Sequence, residues 1–193
     1  FTTAATFATF NRALAARANA YAENWNECIT ALGASFLDAS PGSDLKDGCY
    51  FTYSISGGDL LNELFQSGTA TGEIRIVHPS FIADADAGDT RLDKAFLRAD
   101  APTSAGLSGN YGFNLYTTNT SPIPIIRNEE LILLWAEAKI QLGDIGSLGD
   151  AVTALNRIRS GAGLLPYLGL ATKPALITEM LKQRRYSLYG EGH

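Results

Sequence analysis

The sequence predicts a mainly α fold, a scaffold of paired helices interrupted by a long irregular loop insertion. Three observations carry this. Residues 4–38 and 127–193 place apolar residues at helical spacing, whereas residues 39–126 are dominated by Gly, Ser, Thr, Asn and Pro without a sustained period. Long helical patterns in both outer segments are followed by very short polar turns, which makes consecutive helices antiparallel neighbours. With 193 residues, 46% of them hydrophobic and 18% charged, the chain has globular composition and ample material for a core.

Along the first segment, Phe7, Phe10, Leu14, Ala18 and Tyr21 recur at helical spacing. In NWNE, Asn24 with Glu27 three residues on has the form of a capping box. The following helix carries Trp25, Cys28, Ile29, Leu32 and Phe36 on one face. Residues 4–38 are therefore expected as a helix pair. Residues 39–58 read as loop, DLLNELF at 59–65 as a short helix capped by Asp59, and EIRIVH as a short strand. A long irregular stretch such as 39–126 is usually functional or a surface excursion.

Helical pattern returns at 127–142, RNEELILLWAEAKIQL, and continues through the C-terminal helices of 127–193. The next helix is expected from Leu148 to about Ser160, with Ser147 and Asp150 as a capping box. Its apolar stripe is Leu148, Ala151, Val152, Leu155 and Ile158, and Gly161 and Gly163 end it. The last helix is capped by Thr172, tolerates Pro174 in its first turn, and has a stripe of Ile177, Met180, Leu181 and Leu188. The two helix–turn–helix pairs follow TPR-type logic, but two copies separated by a long insertion do not make a regular solenoid.

Charge placement sharpens the picture. Leu131 to Trp135 are apolar in succession and cover every face of their helix, so that helix is buried on several sides. Glu130 and Glu137 share one such face, where a carboxylate requires a partner. Arg157 and Arg159 flank the core residue Ile158, and Arg184 falls on the apolar stripe of the last helix. The expectation is a structural ion network in which Glu130 and Glu137 meet arginines of the last two helices. Arg17, between Leu14 and Tyr21, poses the same question in the first helix. The competing reading is a catalytic carboxylate pair of the glycosidase kind. Residues seven apart on one buried helix sit about 10 Å apart with no cleft implied, which favours the structural role.

RNEELILLWAEAKIQLGD, ALNRIRSGAGL and EMLKQRRYSLYGEGH, in that order, closely resemble the C-terminal signature of the SusD/RagB-like family. FNRALAARANAYAENWNECITALGASFLD is similar to the family's internal TPR helix pair, and GDTRLDKAF to its Asp-x-Arg segment. The resemblance implies a SusD-like helical scaffold, with residues 1–193 as a single C-terminal portion. It adds Arg127, Arg185 and Glu191 to the ion network. Gln183, Ser187 and Asn128 depart from the family pattern, the first two standing where Glu is common. Family sequences also continue past His193. The resemblance further implies a non-catalytic protein that binds glycans or similar nutrients at the bacterial cell surface. Such proteins hand their ligand to a SusC-like TonB-dependent outer-membrane transporter. They are held at the outer membrane by an N-terminal lipid anchor, which would lie outside this chain. The start at Phe1 and the single methionine, Met180, also read as part of a longer product.

Sugar binding favours exposed aromatic faces with amide and acidic partners. Two loop clusters supply them: GCYFTYSISGG, with Tyr50, Phe51 and Tyr53, and GNYGFNLYTTN, with Tyr111, Phe113, Asn114 and Tyr116. The same rings also suit anchoring of loops, and the second cluster alternates as a half-buried strand does. Trp25 and Trp135 fall on helical stripes and are expected in the core. Asp84, Asp86 and Asp89 offer oxygens for calcium but lack EF-hand spacing, and an Asp89–Arg91 interaction competes. No other cofactor is expected.

Cys28 and Cys49 have no zinc spacing. They read as one buried and one loop thiol, with a disulfide open to an exported protein. His78 and His193 are far apart, and no phosphate loop, GxSxG or HExxH occurs, so nothing positive supports an enzyme. A net charge of -5 and a pI of about 5.0 exclude non-specific nucleic-acid binding. No stretch approaches the roughly 20 apolar residues of a membrane span. The alternative function is a TPR-type protein-interaction scaffold without glycan binding.

Overall fold

Helix α4 (Asn128–Leu142) is the centre of a helical unit formed by residues 1–49 and 124–188. Its neighbours are α1 (Ala4–Tyr21), α2 (Trp25–Gly33), α5 (Ile145–Gly161) and α6 (Lys173–Ser187), and α4 packs against all of them. A second unit comprises residues 50–123 and 189–193, with the short turn α3 (Ser80–Ala83) as its α-helix. The computed structural model describes residues 1–70 and 74–192. The helical unit and the second unit are each compact, with their own internal contacts.

The unbroken apolar run of α4 explains its position. Leu131, Leu134 and Ala138 enter one core with Ala13, Ala16, Ala20, Cys28, Ala31 and Leu32 from α1 and α2. Ile132, Leu133, Ala136 and Ile140 enter a second core with Ala151, Ala154, Leu155, Ile158, Leu176 and Met180 from α5 and α6. Trp135 packs against both. Each fully buried Leu or Ile contributes about 1.5–3 kcal/mol by leaving water, so this one helix concentrates much of the unit's stabilisation.

Termination is equally local. Gly143, at φ +76°, takes the left-handed conformation that ends α4. Asp144 then accepts from the Ser147 amide at 3.0 Å and from its hydroxyl at 2.5 Å, capping α5. The α5 cap is therefore Asp144 and the helix starts at Ile145, a turn earlier than Ser147–Asp150 suggested, because Asp144 follows directly on the left-handed glycine. Strands β1 (Gly48–Phe51) and β6 (Ile123–Arg127) form a two-stranded ladder. A side chain at Gly48 would collide with the Ile126 carbonyl and with Arg127.

Several other expectations change. In α1 the buried face is Ala13, Ala16 and Ala20, whereas Phe7 and Tyr21 are exposed; small side chains let the helix approach its neighbours closely. Asn24 precedes α2 without a side-chain cap: Glu23 is left-handed and the Asn24 amide turns back to Asn19. In α6 Leu181 is exposed, and Leu176, Met180, Gln183, Tyr186 and Ser187 form the buried face with Leu188 beyond them. Thr172 precedes α6 without a side-chain cap bond.

In the loop unit, β2 (Ala95–Leu97) pairs antiparallel with β5 (Tyr111–Phe113), in the register Ala95–Phe113 and Leu97–Tyr111. Strands β3 (Thr103–Ser104) and β4 (Leu107–Ser108) make a small antiparallel hairpin. DLLNELF forms no helix. Asn62 is buried there, its amide donates to the Asn119 carbonyl and its side chain to the Ser121 carbonyl, so long-range bonds replace the helical ladder. EIRIVH forms only an isolated bridge, Ile76 to Gly112, and its Glu73 lies outside the described residues.

The Asp144 carboxyl lies below the ordinary aspartate range because the Ser147 side chain and amide bond its charged form. Its stabilisation is present above the unfolded aspartate pKa and is lost as pH falls through the lower folded one. Asp144→Ala should lower the melting temperature at neutral pH, and the gap to wild type should close on acidification. A constant gap across that range would rule out the cap as its cause.

Candidate functional site

The α4 N-terminus gathers most of the buried charge. Its first amides carry no side-chain cap; Asn128 N–H donates to the Asp47 carbonyl at 2.8 Å and Glu129 N–H to the Leu45 carbonyl at 3.1 Å. These bonds satisfy donors that the helix itself leaves open. The Asn128 side chain is buried, donates to the Asp38 and Asp44 carbonyls, and accepts from the Asp38 amide at 2.9 Å. Arg127 pairs with Glu129 and donates to the Leu45 and Ser187 carbonyls. Loop 38–47 and the end of α6 are thus both tied to one helix start.

Glu130 is bonded by both oxygens to Arg17, Nε at 2.6 Å and Nη2 at 2.7 Å, and Arg17 also donates to the Ile125 carbonyl. The bidentate partner of Glu130 thus comes from the first helix, whereas arginines of the last two helices were expected. Arg17 reaches it because the small Ala13, Ala16 and Ala20 bring α1 close to its neighbours. Glu137 accepts from Arg184 at 2.5 Å. Arg157 donates to Ser40 and Ser43, and Arg159 to the Leu165 carbonyl and to Glu179. Both flank Ile158, as their spacing requires, and they bond residues of the 40–43 and 165 loops and, for Arg159, Glu179 of α6. Gln183 donates to the same Glu179 oxygen that Arg159 holds. Arg185 is exposed, with its guanidinium 5.6 Å from the Tyr186 ring centre. Glu191 faces Lys94 at 3.9 Å in the loop unit. The bidentate hold on Glu130 and the arginine on Glu137 favour structural charge pairing over general acid–base work.

Among the aromatic candidates, Tyr116 is 4% exposed and offers no ring face to a ligand, which corrects its assignment to a binding surface. Phe113 packs between Tyr116 and Tyr189, with ring centres 6.1 and 6.2 Å away. Asn114 donates its side-chain amide to the Asp93 carbonyl and its backbone amide to the Lys94 carbonyl, a loop-fastening role. Tyr111 is half-buried on β5, and its carbonyl accepts from Val77. Tyr50 and Tyr53 are half-buried, whereas Phe51 between them is 58% exposed. Ile55 and Leu60 nearby in sequence are also exposed, and Ser54 donates to Asp59. Phe51 is the ring in its cluster with the most exposed surface, a distinction from Tyr50 and Tyr53 that the sequence pattern does not make. Its position at the end of β1, where the ladder stops, is the missing signal.

Asp89 gives both carboxylate oxygens to Arg91 and caps the 3-10 turn over Thr90–Lys94. That corrects the calcium reading of Asp84, Asp86 and Asp89; among the described residues no group of His, Cys, Asp and Glu is placed to hold a metal ion. His78 bonds Ser80, and His193 lies outside the described residues. Cys28 and Cys49 are unpaired thiols, one buried in α2 and one half-buried in β1, not in a loop.

A family model matches part of the sequence, and solved structures share its fold. Residues 108–193 match the sequence model of the SusD family. Over 94% of its length the chain superposes on a SusD-like carbohydrate binding protein from Bacteroides vulgatus, with a TM-score of 0.61 and 21% identity. A surface glycan-binding protein A from Bacteroides uniformis gives a TM-score of 0.61 at 18% identity over 94% of the chain. A SusD superfamily protein from Parabacteroides distasonis gives 0.59 at 16% over 93%. The chain spans 42%, 47% and 49% of those three structures, respectively. No curated protein matches the sequence. The chain is SusD-like in its C-terminal sequence and in its mainly helical fold.

Burial, and secondarily the Glu137 charge, push the Cys28 thiol up to about 11 from 9.0. A raised thiol pKa leaves stability intact below the unfolded value and erodes it as pH climbs through the folded one. A thiol reagent at pH 8 should therefore label Cys49 in the native protein and reach Cys28 only on unfolding, as read by mass spectrometry. Equal labelling of both thiols under native conditions would refute the burial of Cys28.

Proposed function

We propose that the chain is part of a non-catalytic protein that binds glycans or similar nutrients at the bacterial cell surface and passes them to a SusC-like TonB-dependent outer-membrane transporter. The carrying observation is the SusD family match over residues 108–193, together with a fold shared with a SusD-like carbohydrate binding protein. In this reading the protein is held at the outer membrane by an N-terminal lipid anchor. No helix among the described residues is long and apolar enough to cross a membrane.

The ligand surface is assigned to the rings that packing leaves available: Tyr50, Phe51 and Tyr53, with Tyr111 as a further candidate. Aromatic faces are suited to the apolar side of a sugar ring, and the Ser54–Asp59 pair supplies hydrogen-bonding oxygens beside them in sequence. Phe113 and Asn114 act through the loops they hold. Arg157, Arg159, Arg184 and Arg127 serve the scaffold.

One observation favours a second reading as a TPR-type interaction scaffold. Leu165, Leu168 and Leu170, in the loop between α5 and α6, are all exposed. Exposed apolar clusters on helical-pair proteins often meet other proteins.

The test is affinity electrophoresis of the full-length protein in gels containing polysaccharides, followed by the same assay on variants. Glycan retardation should weaken about tenfold in Phe51→Ala, the scale of one lost ring contact of about 1.4 kcal/mol. Glu137→Ala should reduce folding stability rather than any hydrolysis. If the intact protein retained no glycan yet captured a partner protein, the scaffold reading would replace this one.

A further inference from the structure

Helix α6 ends at Ser187 with Leu188 as its C-terminal cap, and from Tyr189 the chain belongs to the loop unit. That unit has little regular structure of its own. Its described elements are a four-residue α3, a 3-10 turn of five residues, and strands β2 to β5 of two or three residues. Two-stranded ribbons of this length are marginal without an apolar face to pack on. The packing comes from aromatic rings. Phe81 is 1% exposed and lies 4.2 Å, ring centre to ring centre, from Tyr189 at 35°. Phe113 joins from the other side at 6.2 Å. Tyr189 is therefore the ring between α3 and β5.

The next two residues fit the same place. Gly190 has φ +76°, and a Cβ there would meet the Phe113 ring at 2.8 Å and Leu115 at 3.1 Å, so only glycine lets the backbone pass. The Glu191 carboxylate is 4% exposed and faces Lys94 at 3.9 Å, at the end of the 3-10 turn. Three consecutive residues thus touch α3, β5 and the turn before β2, elements separated by up to some thirty residues of loop.

We infer that Tyr189, Gly190 and Glu191 form a strap that completes the aromatic core of the loop unit, so that the order of residues 50–123 is conditional on it. Withdrawing the strap opens the loop unit and leaves the helical unit folded. The helical unit keeps both of its cores, because neither contains a residue beyond Leu188. The inference is independent of what the loops bind.

Limited proteolysis of the whole protein, with cleavage sites mapped by mass spectrometry, tests it. Tyr189→Ala should speed cleavage within residues 50–123 at least about tenfold, as expected when a packed ring is removed and cleavage follows the open population. Gly190→Val should do the same through collision with Phe113. Tyr189→Phe, which keeps the ring, should open the loops far less than Tyr189→Ala. Cleavage within α4, α5 and α6 should stay slow in all three. The inference is overturned if Tyr189→Ala leaves the loop cleavage rate unchanged, or if Tyr189→Phe opens the loops as much as Tyr189→Ala. It is equally overturned if loop and helical sites accelerate together, a variant that fails to fold included.

Discussion

A carboxylate-bearing helix at the centre of a helical unit is tenable only if its charges are neutralised where they are buried. Glu130 is 4% exposed at its side chain, and its bidentate bond to Arg17 is the contact that permits α4 to sit between two cores. A lone buried carboxylate costs several kcal/mol, and a paired one with all its oxygens bonded largely avoids that cost. Arg17 in turn has to reach inward from α1, which requires the small Ala13, Ala16 and Ala20 face that brings that helix close. The alanine face, the arginine and the glutamate form one arrangement, and removing any of them strands another.

The same logic extends along α4. Asn128 and Arg127 fasten loop 38–47 and the end of α6, and Arg184 meets Glu137 one turn from the second core. Such polar fastening fixes how segments enter and leave the helix more than it adds net stability. Gln183 and Ser187 are fully buried, positions at which a charge would need yet another partner.

The helices were legible because burial imposes a period. The all-round apolar run at 131–135 announced the central helix, and in α5 Ala151, Leu155 and Ile158 are buried as read, whereas Ala154 joins them and Leu148 and Val152 are only half-buried. What the period does not encode is which of two apolar faces wins. In α1 the aromatic stripe lost to alanines, since close approach rewards small side chains rather than large ones. Caps were misplaced where backbone geometry outside the motif decided the matter: Gly143 moved the start of α5 to Asp144, and left-handed Glu23 disabled Asn24. The loop unit was least legible. Its order comes from contacts between distant residues, such as Asn62 with Ser121 and Phe81 with Tyr189, which no local pattern records. For the same reason the aromatic candidates divided only once packing was visible. Tyr116 and Phe113 are loop core, whereas Phe51 keeps a free face.

The most direct measurement is chemical denaturation of Arg17→Met, Glu130→Leu and the double variant, read as a thermodynamic cycle. Arg17→Met alone leaves Glu130 buried without its cation and should lose about 3 kcal/mol or more. The double variant, which replaces both charges by apolar side chains of similar size, should recover most of that loss. A Arg17→Met variant within about 0.5 kcal/mol of wild type, or a double variant that simply sums the two single losses, would contradict the account.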